Sequence, residues 1–369
     1  MPVIAWYILF ILCSSVQLFY LFLVFGSLVR SKRKNTISSV MNPGQPAVTI
    51  LLIVKNELEN LRALIPLLIQ QDYMGEFDIH IIDDHSTDDT ISSINEWKND
   101  KGIRLYIHAL PKPGEGKKDA LKYALSLDTF ELLLTTDADC RPRTTKWLSS
   151  MVDHMGDDKA IVLGYSPYYH QSGGLNHLIQ VETTNTALLY LSMAQLGMAY
   201  MGVGRNTLYR KSVLTQSLNL SKYSKVLSGD DDLTVNELSK THRTDLQISP
   251  DAIVDSIPKT SWTSWIRQKS RHVSTARYYR PVHQFVLLIY YSSLVLSWVL
   301  PLGLMFFSPW ILIIFLTYKG LYFFKFRTMI RQIFDERWRF SDWMIGEGAY
   351  VFALIWLTPS SLYKKNTEW

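Results

Sequence analysis

The stretch ELLLTTDADC, Glu131 to Cys140, sets two carboxylates, Asp137 and Asp139, one residue apart directly after leucines that read as a buried strand. Two such charges repel each other and lose hydration where they are partly buried, so the pattern asks for a cation between them. Hard divalent ions prefer carboxylate oxygens, and Mg2+ is usually bound by one or two carboxylates plus substrate phosphates. Other acids occupy comparable places: Glu57 after Asn56, Asp83 and Asp84 opening DDHSTDDT, and Asp230 to Asp232 in SGDDDLTVNEL. A positioned carboxylate can take the proton of an attacking hydroxyl, and adjacent carboxylates raise the pKa of one of their number. Cations stand elsewhere, at Lys117 and Lys118 after PGEG, and at Arg271 in QKSRH, Gln268 to His272. A guanidinium can bind two oxygens at once.

The elements that must position these groups alternate. AVTILLIV (Ala47 to Val54) is a short β-rich run, followed by Leu58, Leu61, Leu64, Ile65, Leu68 and Ile69 at helical spacing. FDIHIID is a second strand, and the Ser and Asp residues after it suit a helix N-cap before ISSINEW. IRLYIHA leads through a Gly/Pro loop into another helix, and FELLLTTDADC is the fourth strand. Such alternation predicts an α/β fold with a mostly parallel sheet, whose ligands bind beyond the carboxyl ends of the strands. Every predicted strand ends in polar residues, so one pocket can collect them all.

Several classes are disfavoured. PGEGKK does not complete Gly-x4-Gly-Lys-Ser/Thr, and MGVGRN (201–206) is not Gly-x-Gly-x-x-Gly before a helix, which argues against a nucleoside triphosphatase or a dinucleotide dehydrogenase. No His/Cys cluster has zinc spacing. The two cysteines, Cys13 and Cys140, give no disulfide framework and fit a reducing compartment.

The apolar residues gather at the two ends. Pro2 to Val29 carries no charge, and at about 1.5 Å per residue it is long enough to cross a hydrocarbon core of about 30 Å. Arg30, Lys32, Arg33 and Lys34 follow it, where a cleaved leader would carry its charge first, so the segment reads as a retained anchor with the next domain cytoplasmic. Pro281 to Tyr318 is again without formal charge and reads as a hairpin, about 284–306 and 309–325, broken near Ser308. Trp343 to Tyr363 is a further crossing or a re-entrant segment. Between the soluble core and the hairpin, Ser256 to His283 has Lys259, Arg267, Lys269, Arg271, Arg277 and Arg280, no acid, and Trp262, Trp265, Tyr278 and Tyr279. That composition suits a helix lying among lipid headgroups. The net charge of +5 is concentrated beside these apolar ends and is no sign of nucleic acid. The expected domains are an anchor (1–30), an α/β domain (45–255), an interface helix (256–283), a transmembrane hairpin (284–325) and a membrane-associated C-terminal segment (341–369).

In order along the chain, VTILLIVKNE, IHIIDDHSTDDT, GEGKKDAL, LLLTTDADCRP, GDDDL and QKSRH resemble the family 2, GT-A fold glycosyltransferases, particularly the membrane-anchored branch of ceramide glucosyltransferases and cellulose and hyaluronan synthases. The resemblance implies a GT-A domain between N- and C-terminal transmembrane helices. It also implies Mg2+ or Mn2+ on Asp137 and Asp139, bridging the phosphates of a nucleotide-sugar donor. Asp139 is the expected direct ligand, with Asp137 shared between metal and ribose. Asp84, supported by Asp83, and Glu57 would meet the base and ribose, which favours uridine. Lys117 would lie near the donor phosphates, and Gln268 and Arg271 would meet the pyrophosphate leaving group. Asp230, or its neighbour Asp231, takes the place of the family's catalytic base, although Gly229 stands where many members have Glu. His272 replaces the family's Trp toward the acceptor, and Asn206, in the Gly202 and Gly204 loop, lies on the acceptor side or the donor side. The implied activity is inverting transfer from a UDP-sugar to a lipid or lipid-linked glycan acceptor at the cytoplasmic face of a membrane, expected to be bacterial. A processive polysaccharide synthase and a nucleotide-sugar-binding scaffold without turnover are the alternatives.

Overall fold

Leucine-rich and β-branched runs bounded by polar residues become strands, and the Leu and Ile residues at helical spacing become the inner faces of the helices that cover them. The computed structural model describes residues 2–35, 45–97, 104–111, 117–220 and 230–363; the side chains of residues 2, 33–35, 95–97, 218–220, 230 and 358–363 lie outside that description. The PGEG loop and Ser228–Gly229 therefore fall outside it, as does the side chain of Asp230.

The chain divides into two units, Met1–Ser38, His170–Leu196 and Pro258–Lys364 in one, and Ser39–Tyr169, Gly197–Ile257 and Lys365–Trp369 in the other. The first begins with α1 (Pro2–Phe19), a π-helical stretch (Tyr20–Val24) and α2 (Gly26–Asn35). The second then runs β1 (Val48–Val54), α3 (Leu58–Ile69), β2 (Phe77–Asp83), α4 (Thr90–Trp97), β3 (Leu105–Ala109), α5 (Lys117–Ser126), β4 (Leu132–Thr136), β5 (Cys140–Pro142), α6 (Trp147–Val152) and β6 (Lys159–Gly164). After α7 (Gly174–Gln195), which belongs to the first unit, it resumes with β7 (Thr207–Arg210), α8 (Lys211–Leu220), α9 (Asp230–Leu238), β8 (Arg243–Gln247) and β9 (Val254–Ser256).

The main sheet has the order β3-β2-β1-β4-β7-β6-β8. β3, β2, β1 and β4 are parallel, β7 runs antiparallel to both its neighbours, and β8 is parallel to β6. β1 is buried almost throughout, as a central parallel strand covered on both faces should be. Leu61, Leu64, Ile65 and Leu68 of α3 join Ile50, Leu52, Ile81, Leu134 and Trp147 in one core. Each such side chain contributes about 1.5–3 kcal/mol by leaving water. All four expected strands form, and their carboxyl ends share one edge.

The helical unit continues with α10 (Trp262–Thr275), α11 (Pro281–Leu304), α12 (Trp310–Phe334) and α13 (Phe340–Tyr363). Among the described residues two helical segments, Val3–Lys32 and Pro281–Leu304, are long and apolar enough to cross a membrane. The hairpin breaks at 305–309, beside Pro309, while Pro301 stays inside α11. α12 runs past the expected end at 325 to Phe334 and carries Lys319, which is 1% exposed. Its Nζ lies 2.6 Å from Glu347 Oε2 of α13, and Trp298 Nε1 of α11 donates to the same oxygen at 2.8 Å. The rings of Trp298, Tyr318, Trp343, Tyr322 and Phe315 surround the ammonium. α7 packs against α13 and is buried nearly all round, and its Glu182 pairs with Lys269 of α10. The expected 45–255 domain is therefore interrupted by a helix that belongs with the helical unit.

Candidate functional site at the strand ends

At the end of β1 the chain turns sharply at Asn56, whose φ of 55° is the left-handed conformation that asparagine tolerates. Its backbone N–H donates to Ser86 Oγ at 2.9 Å and its side-chain oxygen accepts from Thr87 N at 2.7 Å, which fastens the β1 exit to the β2 exit. There Asp83 accepts the Ser86 N–H with both oxygens, at 3.3 and 3.2 Å, closing a turn. Asp88 does the capping, accepting from Thr90 N and its hydroxyl; the hydroxyl bond holds the Asp88 carboxyl below its ordinary pKa. Asp84 is only 4% exposed, with Lys55 Nζ at 4.0 Å and His85 Nδ1 at 3.4 Å. So the acidic run divides its labour: Asp83 shapes the loop, Asp88 starts the helix, and Asp84 is the buried carboxylate beside Lys55 and the His85 ring.

Glu57 opens α3 and accepts from Asn60 Nδ2 at 2.7 Å. Asn60 in turn accepts from Arg141, which donates to the carbonyls of Ala138 and Cys140 at 2.8 and 2.6 Å. This network braces the turn that presents Asp137 and Asp139. The turn is closed by Cys140 N–H on the Asp137 carbonyl at 3.1 Å, and β5 continues by pairing with β9, Cys140 opposite Ser256. Ser256 Oγ donates to Asp139 Oδ1 at 3.3 Å, and Ile257 N–H to the Asp139 carbonyl at 3.1 Å. Cys140 is wholly buried, and burial beside the two aspartates pushes its thiol well above the ordinary range. It is a packing residue here, since the thiolate is the reactive form.

Lys117, the first residue of α5, places Nζ 2.6 Å from Asp137 Oδ1. Next to it Asp231 of α9 joins Thr136, Tyr209, Gly204 and Lys117 in lining a small pocket. Burial raises the Asp231 pKa and Asp137 adds to the rise, while Lys117, the Gly204 N–H and Arg205 pull it down. A Cβ on Gly204 would fall 2.0 Å from Asp231 Oδ2, so only glycine admits this carboxylate. Of the two candidate bases, Asp231 is the one whose side chain is described, and it faces this pocket.

Among the described residues no group of three or more His, Cys, Asp or Glu side chains forms a ready-made metal cage. The donor set does fit a divalent ion that arrives with a diphosphate: two carboxylates on one braced turn, one of which already draws a cation, Lys117.

Asn206 corrects the expectation of a ligand contact. It is 0% exposed; its oxygen accepts from Trp147 Nε1 at 2.9 Å, and its amide donates to the Tyr165 and Ala252 carbonyls, both at 2.8 Å. Its polar atoms hold the core together and cannot reach a substrate. Its neighbour Arg205, not singled out by motif, faces the other way, and the period-2 alternation leading into β7 is the signal that could have found it. Gln268, Arg271 and His272 lie on α10 in the helical unit. There burial and Arg267 lower the Arg271 pKa, and its Nε is buried without a hydrogen-bond partner.

Residues 49–218 match the family described as Glycosyl transferase family 2. The fold is similar to that of the mannosyltransferase PcManGT from Pyrobaculum calidifontis, solved with GDP-Man and Mn2+, at a TM-score of 0.61 and 17% identity over 96% of this chain and 100% of that one. Residues 1–349 of TarS from S. aureus align at a TM-score of 0.43 and 13% identity over 85% and 90% of the two chains, a likeness too loose to argue from. No curated protein matches in sequence.

Proposed function

From the premise that the chain carries a family 2 glycosyltransferase domain with the GT-A fold and is a glycosyltransferase, we propose that it is an inverting enzyme. In this reading it moves a sugar from a UDP-sugar to a lipid or lipid-linked glycan, at the cytoplasmic face of a membrane entered by its apolar helices. The observation that carries the reading is the gathering of Asp84, Asp137, Asp139 and Lys117 at one sheet edge, with Asp231 against Lys117.

Asp84, propped by the Asp83 turn, and Glu57 take the nucleoside. Asp137 and Asp139 would hold Mg2+ or Mn2+, and the bound ion would supply positive charge against the diphosphate leaving group. Lys117, Gln268 and Arg271 bind phosphate oxygens as negative charge builds on them. Asp231, adjoining Asp230, accepts the proton of the attacking hydroxyl. A carboxylate whose pKa is raised is the stronger base. A single displacement inverts the anomeric centre. His272 lies toward the acceptor.

The test is release of nucleoside diphosphate from a panel of UDP- and GDP-sugars by the full chain in lipid nanodiscs, with Mn2+ or Mg2+ and then with chelator. Chelator-sensitive release from one sugar, lost in Asp231→Asn, is expected. No release from any sugar by folded protein supplied with native lipid extract would overturn the reading.

A further inference from the structure

Arg205 is held unusually firmly for a residue in a glycine loop. Nε donates to Ser166 Oγ at 2.8 Å, one Nη to Tyr168 Oη at 3.1 Å and the other to the Ser166 carbonyl at 2.8 Å. The guanidinium also lies over the Tyr168 ring, 4.6 Å from its centre. Ser166 is itself fixed, donating to the Val254 carbonyl at 2.7 Å. A guanidinium has five N–H donors, so these bonds leave one N–H on each terminal nitrogen. Every hydrogen-bond partner is neutral.

The position is at the site. Gly204, one residue earlier, touches the Asp231 carboxylate, and although burial lowers the Arg205 pKa, Tyr168, Cys140, Asp139 and Asp137 together raise it, which puts the guanidinium beside the strand-end acids. In the proposed reaction the donor diphosphate is met by the metal, Lys117 and Arg271. Arg205 shares none of that work: its hydrogen-bond partners are all neutral, and the N–H groups they leave over form a fixed fork that favours a two-oxygen anion.

Resting on the glycosyltransferase reading, we propose that the outer edge of Arg205 recognises a second anionic group on the substrate, a carboxylate or a phosphate monoester, distinct from the donor diphosphate. Two sources supply that chemistry: a uronic acid as the transferred sugar, or a phosphate on the acceptor.

Binding to the full chain in nanodiscs with Mn2+ separates them. One arm compares UDP-glucuronate with UDP-glucose. The other compares geranyl phosphate with geraniol in the presence of UDP, against protein-free nanodiscs. The wild type is expected to prefer the anionic member at least tenfold in one arm. In Arg205→Met the preference falls below twofold while UDP binding is unchanged. Should Arg205→Met not fold, Arg205→Lys keeps the charge but loses the fork, and its preference is expected to fall at least threefold. No preference in either wild-type arm, or a preference that survives both substitutions, would overturn the proposal. So would a loss of UDP affinity in Arg205→Met, which would make Arg205 part of the diphosphate site. Wild-type protein that binds neither UDP nor GDP would instead bring down the glycosyltransferase reading, and this inference with it.

Discussion

Two lysine–carboxylate pairs in this molecule close to the same 2.6 Å, Lys117 with Asp137 and Lys319 with Glu347, and they are different objects. The side chains of the first are 27% and 36% exposed, those of the second 1% and 3%. At a wet strand end an ion pair is worth little and its partners can be exchanged for another cation or a phosphate. Inside a ring of aromatic side chains, with Trp298 also donating to the carboxylate, neither charge has anywhere else to go. Contact distance does not separate a working pair from a fixed one; access to solvent does.

The sharpest way to break that contrast is Lys319→Met. It strands the Glu347 carboxylate and is expected to cost about 3–5 kcal/mol, read as a lowered unfolding midpoint in nanodiscs, with most of it recovered in Lys319→Met/Glu347→Met. A loss no larger than that of Lys117→Met would erase the distinction. Asp231→Asn is expected to lower turnover about a thousandfold while Mn2+-dependent UDP binding persists. The same change should raise the unfolding midpoint by about 1–3 °C at neutral pH. The sign follows from the raised carboxyl pKa: that group favours the folded state below its unfolded pKa and loses the advantage as pH rises through the folded one, so ionised Asp231 is a cost at neutrality. Gly204→Ala drives a methyl into that carboxylate and should cut turnover about a hundredfold with the fold intact by circular dichroism. Smallest in stability is Lys117→Met, expected to cost less than about 1 kcal/mol. Its signature is in the pH profile: kcat/KM falls as pH drops through the Asp231 pKa, and removing the Lys117 charge moves that fall to higher pH. An unmoved profile would mean that Lys117 does not act on the base.

The strand ends were legible because each apolar run stops at polar residues, and the parallel sheet carries those stops to one edge. Within DDHSTDDT the sequence could not say which acid shapes, caps or binds, since that depends on which N–H groups the turn brings near. Asn206 misled for a related reason: a polar residue after glycines looks like a ligand contact, and its burial is decided by Trp147, Tyr165 and Ala252. α7 carries Asn176, Gln180, Glu182, Thr183, Thr184, Asn185 and Ser192 buried, so it has no apolar stripe to read. Glu347 stood out in an apolar stretch, but its partner Lys319 sits just past the end of the charge-free run and only packing joins them.

The neighbours Arg205 and Asn206 divide one loop between them, the second tied into three carbonyl and indole contacts of the core, the first set on Ser166 and Tyr168 with one N–H of each terminal nitrogen left over. Anchorage and presentation are therefore encoded by separate codons. A lineage can exchange the residue at 205, and with it whatever that loop offers its surroundings, one substitution at a time, without disturbing the pin that keeps the loop in place. Such a loop is cheap to diversify and hard to lose.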